Sequence, residues 1–166
     1  MRPVAALLLL FAASAADARG GSVIAAGGHW AAVLRGGQCD AESRIVVATG
    51  KGKVAGIAGF TFAPGRVRWG QFHARLTRVP RAGASVIASV GGQQFLLVSK
   101  GDWAWGRDAR QDEALMAAVR SADAMRIQSR DGAGRRFSDS YPLDFAPTAI
   151  DAAAARCASL QTGKTR

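Results

Sequence analysis

The residues with the clearest chemistry are the two cysteines, Cys39 and Cys157, which stand near opposite ends of the chain. What they do depends on compartment. Met1, Arg2 and the apolar run Val4–Phe11 form a short positive-then-hydrophobic leader. It closes on Ala13-Ser14-Ala15 and Ala16-Asp17-Ala18, both of which fit a small-residue cleavage site. The sequence therefore predicts an export signal over 1–18. A chain that folds outside the cytoplasm keeps disulfides, so Cys39 and Cys157 are expected to pair, the alternative being two free thiols. The crosslink would close a loop of about 119 residues, to which the chain-entropy relation assigns at most about 4.9 kcal/mol.

Other catalytic chemistry is thinly represented. The chain has two histidines, His29 and His73. A zinc site needs three or four ligands and cannot use thiols locked in a disulfide, so no metal is expected. No G-x-S-x-G elbow is present. Gly50-Lys51-Gly52-Lys53 lacks the spacing of a phosphate loop and reads as a solvated turn. Asp102, Asp108 and Asp112 fall in a loop and at a helix start, where capping explains them better than paired-carboxylate catalysis. No catalytic residue and no cofactor is assigned.

Binding chemistry is better represented. The net charge is +10, yet no Asp or Glu occurs from Ser43 to Gly101, a stretch that includes Arg66, Arg68, Arg75, Arg78 and Arg81. Such segregation predicts a positive surface for anionic partners, with the compositional drift of a GC-rich genome as the alternative. Trp103 and Trp105 are two residues apart and share a side if extended. They could stack on sugars or engage a partner protein, or else plug one end of the core. Trp69, beside Arg66 and Arg68, poses the same choice.

The elements that must position these residues are mostly strands. Residues 19–28 are rich in Gly and Ala and read as a mobile lead-in. Strands are expected at His29–Leu34, Arg44–Thr49 and Val54–Phe62, where Gly56 and Gly59 suggest close packing or bulges. Gln71–Arg78 alternates: Phe72, Ala74 and Leu76 share one face, and His73, Arg75 and Thr77 the solvent face. Ser85–Val90 and Gln93–Ser99 flank Gly91-Gly92, a hairpin signal. Arg110–Ser121 has helical spacing, with acids early. Ala124–Ser129 and Phe137–Leu143 follow as extended segments. Pro147 suits the first turn of a last helix that aims Cys157 at the core with Ile150. The prediction is mainly β: an antiparallel β-sandwich or open barrel with two short helices, one domain over 29–160 and a basic tail at 161–166.

Trp30, Val33 and Cys39 near the start, with Met125-Arg126-Ile127, Tyr141-Pro142-Leu143, Ala149 and Cys157 near the end, give the chain a further character. In these landmarks it resembles the invasion-associated locus B family, small secreted or periplasmic bacterial proteins. Phe145 stands where a glycine is typical. The resemblance implies a β-rich, disulfide-bonded domain of the cell envelope, with no catalytic residues to carry over. The expected function is that of a non-enzymatic periplasmic or secreted binding protein. Its basic surface would face an anionic envelope polymer or an acidic protein partner, with no nucleic acid and no membrane insertion. The rival expectation is an envelope hydrolase with an unrecognised site.

Overall fold

The computed structural model describes residues 21–44, 56–65 and 68–162. The expected leader, the Gly50–Lys53 turn and Arg66 lie outside the described residues. Five consecutive strands form an antiparallel meander: β1 (Ser22–Gly27), β2 (Trp30–Arg35), β3 (Gln38–Arg44), β4 (Ile57–Phe62) and β5 (Gln71–Arg75). The chain then runs through β6 (Val86–Val90), β7 (Gln93–Lys100) and β8 (Trp103–Trp105). Helix α1 (Ala109–Ser121), β9 (Ala124–Arg130), β10 (Arg136–Pro142) and helix α2 (Ala146–Thr162) complete it. The spatial order is β1-β2-β3-β4-β5-β8-β7-β6-β9-β10, a single antiparallel sheet whose edges are β1 and β10. The mainly β class with two helices is the class expected, and the sheet is open.

The sheet curls until its ends approach. Trp30 Nε1 on β2 donates to the Pro142 carbonyl at the end of β10, at 2.8 Å. The inner face carries Phe60, Phe62, Phe72, Leu76, Val86, Met125 and Ile127, all at most 2% exposed. The alternation expected of β5 holds: Phe72 and Ala74 are fully buried. Leu76 is buried too, although the ladder ends at Arg75 rather than Arg78. Helix α2 buries the stripe Ala146, Ala149, Ile150, Ala153 and Cys157. Its spacing of three and four residues is one helical face. Four of the five are small or thin, so the helix can lie close to β1–β3.

Cys39 and Cys157 form a disulfide, with Cα atoms 5.8 Å apart. The bond ties α2 to β3 in the core, both residues being fully buried. Tight turns connect the hairpins. Gly36 and Gly37 have φ of 55° and 79°, and Gly91 and Gly92 have 54° and 80°. Two consecutive positive φ values define the turn whose twist suits a two-residue hairpin, and glycine adopts them without steric cost.

Three segments differ from the sequence expectation. Residues 22–27 are not a lead-in but β1, paired along β2 through a bulge at Ile24. Glycine and alanine weaken the local strand signal, and pairing with β2 outweighs it. Strand β3 begins at Gln38, so Cys39 sits within a strand and not before one. Of the expected tail, Gln161 and Thr162 belong to α2. Phe145 is the sole non-glycine residue with positive φ among the described residues, at 68°. That backbone favours glycine, and the phenyl ring is held against Gly27, where a Cβ would come within 2.7 Å of it.

Candidate functional site

The expected arginine surface is mostly not free. Arg68 is half-buried and spent on an ion pair: Asp112 Oδ2 accepts from it, and Arg68 Nη2 also donates to the Gly106 carbonyl at 2.9 Å. Asp112 Oδ1 accepts the Phe72 backbone N–H at 3.2 Å, so the group locks α1 onto β5. Burial pushes the Asp112 carboxyl above its usual range despite the hydrogen bond from Arg68. Arg75 Nε donates to Asp102 at 2.8 Å, and Arg78 Nη1 donates to Asp131 at 2.9 Å. Both guanidinium groups reach solvent in part, as expected for Arg75, but each is matched to an acid. Asp108 is the helix cap that the sequence suggests, accepting from Gln111 N at 2.8 Å. Asp112 and Asp102 are ion-pair partners instead of caps.

Of the expected anion-binding residues, Arg81 alone remains unpaired among the described residues, and the structure gives it different companions. β9 alternates, with Met125, Ile127 and Ser129 inward and Arg126, Gln128 and Arg130 outward. On β10 the outward residues are Arg136, Ser138 and Ser140. Register places Arg136 opposite Arg130, Ser138 opposite Gln128 and Ser140 opposite Arg126. Ile87 and Ser89 of β6 extend the last two rows. A cleft of about 440 Å³ lies over this face, lined by Arg81, Arg130 and Arg136 together with Ser85 and Gln128. A second, of about 330 Å³, holds Arg126 with Ser89 and Ser140 and shares Gln128 with the first. No Asp or Glu lines either cleft. Arg81, Arg126, Arg130 and Arg136 are exposed and form no ion pair among the described residues, Arg130 donating only to the Gly134 carbonyl at 3.0 Å. Sequence reasoning missed Arg126, Arg130 and Arg136 because Asp123, Asp131 and Asp139 are interleaved with them. The clue was present in the alternation of β9 and β10, which sends Asp139 inward and the arginines outward.

The second constellation surrounds the tryptophans. Trp103 and Trp105 occupy β8, not a loop, and their rings lie nearly parallel at 13°, centroids 6.4 Å apart. In register, Trp105 faces His73 and Trp103 faces Arg75 on β5. Two strands further across, Asp40, Thr61 and Gln71 form one row, and Glu42, Gly59 and His73 the next. Gly59 carries no side chain, so Glu42 and His73 meet across it, with Nε2 and Oε1 3.7 Å apart. Thr61 gives its single hydroxyl proton to Asp40 Oδ1 at 2.7 Å, which leaves His73 Nδ1–H to donate to Thr61 at 3.2 Å. Arg35 donates to Glu42 at 3.0 Å and lies 3.5 Å from Asp40. Burial raises the Glu42 pKa, but the neighbouring His73 and Arg35 outweigh it and hold the carboxyl below its usual range. His73 is thus not the freely exposed strand residue expected, its side chain being 12% exposed. Asp40, Glu42, Thr61, Gln71 and His73 line, with the tryptophans, a cleft of about 260 Å³.

His29 sits in the β1–β2 turn and bonds to Asp144 at 2.6 Å. Trp69 packs edge-on against Phe62, centroids 5.3 Å apart, and is 40% exposed. No helix among the described residues is long and apolar enough to cross a membrane. Comparisons of the chain with protein-family models, curated proteins and solved structures find no match.

Proposed function

We propose that this protein is a non-enzymatic binding protein of the bacterial periplasm or exterior, of the invasion-associated locus B type, that holds an anionic envelope polymer on the outer face of β6, β9 and β10. The observation that carries the reading is the acid-free pair of clefts bearing Arg81, Arg126, Arg130 and Arg136. Arginine presents a planar fork of donors suited to carboxylate and phosphate, and these four are not spent on internal partners. Arg126 and Arg130 stand about 13 Å apart along one strand, a separation that suits repeated charges on a chain better than one compact anion. The buried disulfide supports an oxidising compartment. The landmarks of the family resemblance support its type: Trp30 fixes β2 to β10, and Cys39 and Cys157 form the staple.

The hydrolase reading would need a general acid, a role that Glu42 in the tryptophan cleft does not suit. A general acid needs a carboxyl with a raised pKa, whereas Glu42 is held ionised. Asp112 is raised, but it is 1% exposed and its two oxygens are occupied by Arg68 and the Phe72 amide.

The test is titration with purified lipopolysaccharide and, separately, with poly-glutamate, at low salt and at about 0.3 M salt, where screening shortens to well under 10 Å. The expected result is lipopolysaccharide binding that weakens steeply with salt and is lost in Arg126→Glu/Arg130→Glu, with the fold intact. Equal binding by the double variant would contradict the proposal. Binding of poly-glutamate alone would reassign the surface to an acidic protein.

A further inference from the structure

We propose that the cleft between β3 and β8 is a second, separate site that takes a sugar ring of a neutral glycan against Trp103 and Trp105. A pyranose has an apolar C–H face and a rim of hydroxyls, each of which can both donate and accept. Recognition therefore needs an aromatic surface on one side and oriented hydrogen-bonding groups on the other. The sheet register supplies that division. Two near-parallel indoles stand on β8, and Glu42 and Asp40 stand on β3. Trp103 stays 36% exposed, although a side chain of its size is ordinarily well covered.

The polar half is built in advance. Asp40 is 4% exposed and takes bonds from Gln38 and Thr61, while His73 is oriented by Thr61. Gln71 opens on the same cleft and makes no side-chain hydrogen bond among the described residues, so its amide is available. The volume of about 260 Å³ falls below the roughly 300 Å³ at which pockets for drug-sized ligands begin, so one ring enters and the glycan continues outside. Charge selects among glycans. The carboxylates of Asp40 and Glu42 face the cleft; Arg35 already pairs with both, and Arg75, opposite Trp103, is matched to Asp102. Arg35 offsets one of these two negative charges, so an acidic sugar would meet net repulsion there, whereas a neutral hydroxyl can donate to either carboxylate. The arginine face belongs to β6, β9 and β10, and no residue lines both that face's clefts and this one.

The full-length mature protein would be titrated with neutral tetrasaccharides of α- and β-linked glucose and of N-acetylglucosamine, and with hyaluronan fragments as the acidic counterpart. Tryptophan fluorescence and calorimetry would be read together. At least one neutral tetrasaccharide should shift the emission and bind. Trp103→Ala should weaken that binding by about tenfold or more, as expected for an aromatic anchor. Gln71→Ala, which removes no internal bond, should weaken it several-fold if the tryptophan variant proves unstable. Arg126→Glu/Arg130→Glu should leave it unchanged, which separates this site from the arginine face. No binding of any neutral tetrasaccharide, preference for hyaluronan, or equal affinity in Gln71→Ala overturns the proposal. Tight binding of a proline-rich peptide in place of the sugars overturns it too.

Discussion

Arg78 and Arg81 lie three positions apart and carry the same side chain, yet only Arg81 has a charge to offer. Arg78 is matched to Asp131, which is 6% exposed and accepts as well from Arg135 and from the backbone N–H groups of Ala133 and Arg135. Burial raises the Asp131 pKa, but the bonds from Arg135 and Arg78 outweigh it and hold the carboxyl below its usual range. A depressed folded-state pKa fixes the sign of the linkage. The contribution is complete above the unfolded-state value of about 3.9 and is lost as pH falls through the lower folded-state value. Denaturant unfolding of wild type and Asp131→Asn should therefore differ most near pH 5 and converge toward about pH 2. Parallel curves would show that Asp131 contributes nothing through its charge. The same pairing makes Arg78→Glu a poor probe of ligand binding, since it sets a second carboxylate against a buried one.

Among the elements, legibility followed local signal. α1 and the β6–β7 hairpin were readable because helical spacing and Gly91-Gly92 are short-range marks. The last helix was readable from Pro147, Ile150 and Cys157. β1 was not, because Ser22–Gly27 depends on β2 for its pairing, and neither was β8, which is three residues long. The ion pairs were illegible for the same physical reason. Arg68 meets Asp112 across 44 positions and Arg78 meets Asp131 across 53, so the acid-free stretch in the chain says little about acids in space. The element most dependent on a single bond is α2, whose inner stripe is mainly alanine and offers little area. Cys39→Ala/Cys157→Ala should lower stability by about 2–5 kcal/mol, with α2 the first element to lose amide protection. Hydrogen exchange that shows α2 as well protected as β5 in the double variant would refute this.

At the scale of the whole molecule, a single open sheet carries the arginine and tryptophan clefts on the outer side and its core on the inner. The net charge of +10 belongs to the full chain, and four arginines without an ion pair among the described residues gather where β6, β9 and β10 turn their outward residues to solvent. Among the described residues, the basic block expected from the sequence and the basic face in space share only Arg81. The site proposal therefore depends on which arginines respond when an anionic polymer binds. The direct measurement follows the side-chain Nε–Hε resonances of arginine by NMR as lipopolysaccharide fragments are added to the protein. Shifts are expected at Arg81, Arg126, Arg130 and Arg136 and should disappear at high salt, with Arg68, Arg75 and Arg78 unmoved. Shifts concentrated at Arg75 and Arg78, or spread evenly over all arginines, would contradict it.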